Sequence, residues 1–509
     1  MSSEPAPLIL LSDADNVAVA RHEVPAGVRL SAGGAALLSG EPIPSGHKIA
    51  LRAIARGAVV RKYGQVIGLA TQDIAAGAHV HTHNLAMGGD SHEHGSGTRY
   101  QPSPVAAAAA TFQGIVRRDG RVGTRNYLGV IASVNCSATV CRYIADAFKG
   151  NALSSFPAVD GVVAITHGSG CGMGGSGEGI DLLRRTLRGY ADHPNFAGVL
   201  VVGLGCEVNQ IAPLIETLSA REPGLFAALT IQEEGGTREA VDQGIALLQD
   251  MLPIANTVAR TPVSASHLTV GLQCGGSDGY SGISANPALG AAVDLLVAQG
   301  GTAILSETPE IYGAEHLLTA RAASPAVADK LMQRIHWWEG YTRQHGGDMN
   351  NNPSPGNKAG GITTILEKSL GAVAKGGSTG LMAVYEYAEP VRAHGLVFMD
   401  TPGYDPVSAT GQVAGGANLI CFTTGRGSTY GCKPTPSLKI ATNNSLFKRM
   451  GMDMDFNAGE IVEGRQSVAD AGAALFQLML AAASGSATRS EEHGMGDNEF
   501  VPWQLGAVM

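Results

Sequence analysis

The spacing of hydrophobic residues changes once along the chain, near residue 98. Before this point, short apolar runs typical of β-strands are separated by turn signals such as Pro25-Ala-Gly. The runs cover residues 17–20, 28–30, 48–53, 59–61 and 66–70. The pattern predicts a small β-rich domain over residues 1–97, ending in a histidine-rich stretch that runs from His79 to His94.

A different pattern follows residues 98–112, which contain two prolines and a run of alanines and are predicted to be a linker. Continuous Val/Ile/Leu runs now alternate with segments of helical period. Strands that alternate with helices indicate α/β domains with mainly parallel sheets, and continuous apolar runs indicate strands buried on both faces. We predict one α/β domain over residues 113–260 and a second over 261–509, which closes with a helix around 469–483 and a mobile polar tail from Ser484.

Polar residues follow these predicted strands at their carboxyl ends, where ligands bind in open parallel sheets because loops and helix N-termini converge there. The residues that this argument selects are Asn135, Cys136, His167, Cys171, Cys206, Cys274, Ser277, Asp278, Glu307, Thr424 and Arg426. Each has an ordinary structural explanation, since Cys is often a small buried hydrophobe and Gly-rich turns commonly follow strands. Their recurrence at one topological position favours a single polar site.

Two sets of residues could hold a metal ion. His81 and His83 are spaced i and i+2, which puts them on one face of a strand, and His79, His92 and His94 are near them in sequence. A solvated histidine-rich loop is the competing interpretation. The second set is Cys171, Cys206 and Cys274, a thiolate site for iron or an iron–sulfur cluster, although no close C-x-x-C spacing supports it.

The segment from Met349 to Gly361 is too polar for a core, and it precedes a predicted helix at 362–374. Asn351, Asn357 and Lys358 supply donors, acceptors and one positive charge, which suit a polyhydroxy acid. A helix-capping loop is the alternative.

Composition narrows the function. The 509 residues carry a formal net charge of −9 with no Lys/Arg stripe, so we expect no nucleic-acid partner. No run reaches the roughly 18 apolar residues of a membrane helix, and we expect no signal peptide and no membrane association. Seven cysteines spread over a large chain predict reduced thiols, and therefore a cytoplasmic location.

The motifs at these positions closely resemble those of the altronate/galactarate dehydratase family over essentially the whole chain. The residues that carry the resemblance are Asp119-Gly-Arg-Val-Gly-Thr-Arg-Asn-Tyr127, Ser133-Val-Asn-Cys-Ser-Ala-Thr139, His167-Gly-Ser-Gly-Cys-Gly172, Gly203-Leu-Gly-Cys-Glu207, Gln273-Cys-Gly-Gly-Ser-Asp-Gly-Tyr-Ser-Gly282, Ser306-Glu-Thr-Pro-Glu310, Asn350-Asn-Asn-Pro-Ser-Pro-Gly-Asn-Lys358 and Asp400-Thr-Pro-Gly-Tyr-Asp405. The N-terminal part is similar to the SAF domain of that family in Ile43-Pro-Ser-Gly-His-Lys-Ile-Ala50 and Val80-His-Thr-His-Asn84.

The resemblance implies a hydro-lyase that converts D-altronate to 2-keto-3-deoxy-D-gluconate and needs a divalent metal, Fe²⁺ or alternatively Mn²⁺. Galactarate dehydratases and sulfolactate sulfo-lyases share the architecture, so dehydration of galactarate and C–S bond cleavage remain alternatives, as does a non-catalytic sugar-acid binding protein. Our hypothesis makes His47, Lys48, His167, Asp278 and Glu307 the catalytic group. Asn135, Ser277, Thr424 and Arg426 join the polar segment as substrate contacts. We expect a homodimer that binds a small sugar acid.

Overall fold

A computed structural model describes residues 5–88, 95–215 and 223–509 of the chain. In the first of these ranges, short antiparallel strands form two small sheets and a hairpin. The strands are β1 (Leu8–Ile9), β2 (Val17–Ala20), β3 (Arg29–Ala32), β4 (Ala35–Leu38), β5 (Lys48–Ala50), β6 (Val59–Lys62), β7 (Gln65–Ala70), β8 (His79–Val80) and β9 (Leu85–Ala86). The sheet orders are β1-β2-β5-β8 and β6-β7-β9, and β3 pairs with β4. Ile43 and Ile49 are completely buried in the core of this N-terminal region.

A short sheet connects the parts of the chain that follow. Strand β10 (Thr111–Val116) pairs antiparallel with β11 (Val122–Gly123) and with β16 (Thr261–Ser264), so both ends of the intervening segment meet here. The predicted linker before β10 runs along the C-terminal part of the chain, where the Arg99 amide donates to the carbonyl of Ala320 at 2.7 Å.

The middle sheet contains β12 (Tyr127–Ala132), β13 (Gly161–Ile165), β14 (Phe196–Gly203) and β15 (Phe226–Thr230). Its order is β13-β12-β14-β15, and all pairs are parallel. The helices that accompany it are α1 (Ala138–Asp146), α2 (Glu178–Ala191), α3 (Ala212–Ile215) and α4 (Thr237–Ala255). Every residue of β12 and β14 is buried, as expected for parallel strands covered on both faces.

The large sheet has seven parallel strands within the described residues, in the order β19-β20-β18-β17-β21-β22-β23. They are β17 (Thr269–Cys274), β18 (Thr302–Leu305), β19 (Leu381–Tyr385), β20 (Gly395–Met399), β21 (Leu419–Thr424), β22 (Ser437–Ala441) and β23 (Phe456–Asn457). Its helices are α5 (Ala285–Ala298), α6 (His316–Thr319), α7 (Pro325–Gln344), α8 (Pro355–Ala359), α9 (Ile365–Val373), α10 (Asp405–Ala414), α11 (Asn444–Arg449), α12 (Gly459–Val462) and α13 (Val468–Ala483). The predicted fold class is confirmed: a β-rich N-terminal domain precedes an α/β region with a large parallel sheet.

The end of the chain differs from the predicted mobile tail. It forms the short helix α14 (Arg489–Glu492), and Glu491 accepts a hydrogen bond from the buried guanidinium of Arg125 at 2.6 Å. Phe500 is buried against Tyr190, and the Met509 amide donates to the carbonyl of Gly172 at 2.7 Å. The polar composition of this segment was misleading because its polar groups find partners on the fold.

Candidate functional site

A thiol and two carboxylates meet at the carboxyl ends of two adjacent strands of the large sheet. Cys274 is the last residue of β17, and Glu307 and Glu310 follow β18 in a tight 3₁₀ turn. The Cys274 Sγ atom lies 3.5 Å from Glu307 Oε2 and 3.2 Å from Glu310 Oε2. All three side chains are buried. Among the described residues, this is the one set of His, Cys, Asp or Glu that brings three ligand atoms within 4.8 Å of one another.

Two lysines from the α9 segment bring positive charge to this group. Lys375 Nζ donates to Glu307 Oε2 at 2.6 Å and to Cys274 Sγ at 2.8 Å. Lys368 Nζ donates to Glu310 Oε1 and to the amide oxygen of Asn352, both at 2.7 Å. Buried charges are tolerated when they are paired in this way. We call these five charged and thiol residues, Cys274, Glu307, Glu310, Lys368 and Lys375, the acid–base cluster.

Glu307 is the unusual member of the acid–base cluster. Its backbone has φ 65°, a left-handed conformation that is costly for a residue with a Cβ atom. Its Oε1 atom is buried and has no hydrogen-bond partner among the described residues. Burial is the main cause that raises the pKa of Glu307 to about 7, although the Lys375 ammonium opposes the shift. A strained carboxyl with one unused oxygen and a pKa near neutrality is suited to proton transfer.

A second ionic group joins the N-terminal region to helix α9. Lys48 Nζ donates to Glu367 Oε2 at 2.8 Å and to the carbonyl of Gly361 at 2.6 Å, and Lys62 Nζ donates to Glu367 Oε1 at 2.9 Å. All three charged side chains are almost completely buried. Burial alone would raise the pKa of Glu367, but the two ammonium groups outweigh it and hold the pKa well below its ordinary value. Burial lowers the pKa of Lys48 to about 8.

Histidines of the N-terminal region lie over the loop that precedes helix α9. The ring centroids of His47, His79 and His81 are 5.0–5.4 Å apart, and the His83 ring is 5.5 Å from that of His79. Burial is the main cause that lowers the pKa of His47 to about 4 and that of His79 to about 3. The imidazoles of His47 and His79 are therefore neutral at pH 7, with a lone pair on one nitrogen of each ring.

The hydrogen bonds of two imidazoles identify which nitrogen carries the lone pair. His47 Nε2 lies 3.3 Å from the carbonyl oxygen of Ala359, and His81 Nε2 lies 2.9 Å from that of Lys358. Because a carbonyl oxygen only accepts, Nε2 donates in both rings and Nδ1 is unprotonated. His47 Nδ1 in turn lies 3.0 Å from His79 Nε2.

The predicted positions of His81 and His83 differ in one respect from the structure. Strand β8 ends at Val80, and residues 81–84 form a turn in which the Asn84 side chain accepts a hydrogen bond from the His81 amide. The two imidazoles therefore do not share a strand face. His92 and His94 lie outside the described residues.

The polar segment at 349–361 connects the histidines to the large sheet. Ser354 caps helix α8, and Asn357 Nδ2 donates to the carbonyl of Ser277 at 2.9 Å. Asn357 therefore takes part in a helix cap, the alternative that the sequence left open for this segment. Its side chain also contacts the loop that follows strand β17. Asn351 is exposed, and the Lys358 side chain is half-buried.

Asp278 is a buried acceptor at the end of the same strand. Thr442 Oγ1 and Asn443 Nδ2 each donate to Asp278 Oδ2 at 3.0 Å. Burial raises the pKa of Asp278, and these hydrogen bonds oppose the shift. Nearby, Thr424 Oγ1 accepts from the amide of Gly427, and Arg426 is exposed.

Other predicted site residues lie at the end of the middle sheet instead. His167 is buried, donates through Nε2 to the carbonyl of Ala132 at 3.1 Å, and has a pKa lowered by burial to about 4. Asn135 Nδ2 donates to the carbonyl of His167 at 3.1 Å. Both line a cavity of about 380 Å³ that also includes Arg142 and residues 500–502. Cys171 and Cys206 are exposed on this sheet, whereas Cys274 is buried on the other, so the three thiols of the predicted site do not form one group.

Sequence reasoning missed Lys62, Glu310, Glu367, Lys368 and Lys375. Glu310 was within a motif already noted. Glu367 and Lys368 interrupt the apolar residues of the predicted helix at 362–374, Lys375 directly follows that helix, and Lys62 ends an apolar strand run. Charged residues inside apolar runs were the available signal, because charge is retained in a core only when it is paired or functional.

Donor atoms at two places within the described residues suit a divalent cation. Cys274, Glu307 and Glu310 offer suitable ligand types, but the Lys375 and Lys368 ammonium groups already supply positive charge to them. The histidines offer neutral nitrogens. Two nitrogens bound side by side to one octahedral ion at roughly 2.1 Å would be about 3.0 Å apart, which matches His47 Nδ1 and His79 Nε2. Metal-bound imidazoles also usually donate their other N–H to a carbonyl or carboxylate, as His47 and His81 do.

Comparison with known proteins agrees with this architecture. Residues 6–88 match the altronate/galactarate dehydratase SAF domain, 114–256 the second domain of D-galactarate dehydratase/altronate hydrolase, and 265–508 the C-terminal domain of D-galactarate/altronate dehydratase. Within the described residues, no helix is long and apolar enough to span a membrane.

Relatives that align over most of the chain belong to the same family. The chain is 38% identical to altronate dehydratase of Escherichia coli K12 over 456 residues, which cover 89% of this chain and 90% of that protein. It is 37% identical to altronate dehydratase of Bacillus subtilis 168, over 88% of this chain and 89% of the relative. It is 36% identical to galactarate dehydratase (L-threo-forming) of Escherichia coli K12, over 96% of this chain and 95% of the relative. The fold and site are those of a lyase. The chain belongs to the altronate/galactarate dehydratase family.

Proposed function

We propose that this protein removes water from D-altronate and forms 2-keto-3-deoxy-D-gluconate. The observation that supports it most directly is the acid–base cluster, a buried arrangement of a carboxyl group poised near neutral pH and two ammonium groups. The identity to two altronate dehydratases over about nine-tenths of each chain supports the choice of substrate.

Loss of water across C2 and C3 of an aldonate makes three demands on the protein. The C2 proton is weakly acidic, so a base must take it. The negative charge that develops on the substrate carboxylate and C2 must be stabilised. The C3 hydroxyl must receive a proton as it leaves.

The acid–base cluster can meet these demands. We assign proton removal to Glu307, because its free Oε1 and its pKa of about 7 give it a substantial ionised fraction at neutral pH. The Lys375 and Lys368 ammonium groups would stabilise negative charge on the substrate. After proton transfer, protonated Glu307 can return the proton to the departing hydroxyl.

We propose that the divalent metal is bound by the histidines of the N-terminal region. His47 Nδ1 and His79 Nε2, 3.0 Å apart, are the pair already spaced for one ion, and His81 and His83 would move closer to complete the site. When bound, the metal supplies Lewis-acid polarisation of the substrate carboxylate and an adjacent hydroxyl. His47 and His81 present unprotonated Nδ1 atoms, and backbone carbonyls fix their ring orientations. Fe²⁺ suits these imidazole ligands, and Mn²⁺ is the alternative ion.

The loop at 349–361 lies between the histidines and the strand ends, and we propose that it provides contacts to the sugar acid. Lys358 is the charged candidate for the carboxylate, with Asn351 and Asn357 as hydroxyl partners. Ser277, Thr424 and Arg426 are proposed contacts from the large sheet. Lys48 and Asp278 are assigned positioning roles because their charged groups are already fully hydrogen-bonded by protein atoms. His167 and Asn135 belong to the other sheet and are not required by this scheme.

One alternative has its own support. The galactarate dehydratase relative matches a larger share of the chain, 96%, than either altronate dehydratase does. Galactarate carries a second carboxylate, for which Arg426 is an exposed candidate.

A single assay separates the possibilities. The reduced protein, loaded with Fe²⁺ or Mn²⁺, is incubated with altronate, galactarate or sulfolactate, and 2-keto acid and sulfite are measured. We expect 2-keto acid from altronate at a higher kcat/KM than from galactarate, and no sulfite. Faster turnover of galactarate or release of sulfite would replace the proposed substrate, and binding without product from any of the three would contradict catalysis.

A further inference from the structure

Three cysteines project from neighbouring loops at one end of the middle sheet. Cys136 follows the central strand β12, Cys171 follows β13 on one side of it, and Cys206 follows β14 on the other. All three are exposed and free. The remaining cysteines, Cys141, Cys274, Cys421 and Cys432, are buried.

Hydrogen bonds join each of these loops to the others. The Asn135 amide donates to the carbonyl of Ser169 at 2.8 Å, which joins the loops of Cys136 and Cys171. Asn209 joins all three, since its amide donates to the carbonyl of Gly170 at 3.0 Å and its side chain donates to that of Ser133 at 2.8 Å. The relative positions of the loops are therefore set by short contacts between them.

A buried carboxylate holds the Cys206 loop against the Cys136 loop. Glu207 Oε1 accepts from Ser133 Oγ at 2.7 Å, and its Oε2 accepts from the Gly205 amide at 2.6 Å. Gly170 adopts φ 99°, and a Cβ atom there would come within 2.6 Å of the Ser133 carbonyl. A residue with a Cβ atom at position 170 would therefore push the Cys171 loop away from the Cys136 loop.

The spacing of the thiols distinguishes between kinds of metal site. Sulfurs bound to one tetrahedral ion at about 2.3 Å lie about 3.8 Å apart. Among the described residues, only Cys274, Glu307 and Glu310 bring three ligand atoms within 4.8 Å, so Cys136, Cys171 and Cys206 are too widely spaced for a single ion. A group of several irons bridged by sulfide holds its thiolates farther apart and takes sulfur ligands.

We propose that Cys136, Cys171 and Cys206 bind a four-iron, four-sulfide cluster. Three thiolates leave one iron without a protein sulfur. A cavity lined by Asn135, Arg142 and Gly168 lies beside the loops of Cys136 and Cys171 and would leave room for a small oxygen ligand near the cluster. This second metal site lies in a different sheet from the histidines and goes beyond the proposed function.

Protein purified without oxygen, or reconstituted with ferrous iron and sulfide, tests the proposal. We expect about four acid-labile sulfides per chain and about four irons in addition to any Fe²⁺ at the histidines. We also expect absorbance near 400 nm and an electron paramagnetic resonance signal after one-electron reduction or oxidation. Replacing Cys136, Cys171 and Cys206 together with Ser should lower bound sulfide at least tenfold. Cys141→Ala is the matched control, a buried cysteine of the same region, and should retain it.

The readout is independent of turnover, so it separates this inference from the proposed function. Sulfide and absorbance that persist in the triple variant would overturn the assignment of these three thiols. Absence of sulfide from reconstituted, folded wild-type protein, or its loss from Cys141→Ala alone, would overturn it as well. A cluster present in a protein that dehydrates no sugar acid would contradict the proposed function and leave the cluster site intact.

Discussion

Glu367 and Lys368 are consecutive residues of helix α9, yet each belongs to a different buried ionic group. Glu367 binds Lys48 and Lys62 of the N-terminal region at 2.8 and 2.9 Å. Lys368 binds Glu310 of the acid–base cluster at 2.7 Å. Two consecutive residues of helix α9 therefore connect the ion pairs that hold the N-terminal region in place with the acid–base cluster at the strand ends.

The first prediction concerns the stability of that docking. Two buried ammonium groups share the single Glu367 carboxylate, so Glu367→Gln leaves both without a counter-charge. We expect it to lower the free energy of unfolding by about 3–5 kcal/mol. Thermal and urea denaturation measure the loss.

Lys62→Met is the informative comparison. It leaves a one-to-one Lys48–Glu367 pair, so its cost should be clearly smaller than that of Glu367→Gln. Since the folded-state pKa of Glu367 lies below the ordinary 4.5, its contribution is complete above about pH 4.5 and is lost as the pH falls further. Equal costs for the two variants would show that the shared carboxylate does not dominate the interaction.

The second prediction concerns Glu307. Glu307→Gln preserves the shape of the side chain and an acceptor for Lys375 but cannot take a proton. We expect kcat for 2-keto acid formation to fall about 100- to 10,000-fold, with the fold retained by circular dichroism. Glu310→Gln, which keeps an oxygen for Lys368, should cost much less. A Glu307→Gln enzyme with near-normal kcat would remove Glu307 from the role of base.

The third prediction is the pH dependence that follows from the same residue. Burial raises the pKa of Glu307 to about 7, and the base is active only when ionised. Activity should therefore rise with pH through about 7. The groups that face Glu307 are Cys274, Glu310, Lys368, Lys375 and Asp405. Burial raises the pKa of Cys274 and that of Asp405 above their ordinary values.

A profile of kcat/KM between pH 5 and 9 measures this rise in activity, the acidic limb of the profile, for the free enzyme. Lys368→Met removes a positive charge that lowers the pKa of Glu307, so it should move the limb to higher pH. A limb between pH 4 and 5, near the ordinary pKa of Glu, would contradict the assignment.

The sequence was sufficient for the architecture because its two signals are local. The Val/Ile/Leu runs of β12, β14 and β17 and the short alternating runs of the N-terminal region reflect burial of neighbouring residues. It also selected Glu307, because the end of a parallel strand can be located from the strand itself.

The sequence was not sufficient to predict which residues these side chains pair with. Lys48 and Glu367 are separated by 319 positions, and Lys375 and Cys274 by 101, so their pairing depends on the packing of distant elements. The same limit explains the thiols. Cys171, Cys206 and Cys274 occupy equivalent strand-end positions in the sequence pattern, and only the division into two sheets separates Cys274 from the others.

The last prediction concerns the histidines. His47→Ala and His81→Ala should each lower the affinity for Mn²⁺ at least tenfold, since they remove a neutral nitrogen whose ring is held in place by a backbone carbonyl. Isothermal titration of chelator-treated protein with Mn²⁺ measures this directly, without an activity assay and without sulfide. His22→Ala is the matched control. His22 is exposed, its Nε2 lies 3.3 Å from Glu463 Oε2, and it is not one of the four proposed metal ligands. Unchanged Mn²⁺ affinity in both variants would shift the metal to Cys274, Glu307 and Glu310, where Glu310→Gln should then weaken binding instead.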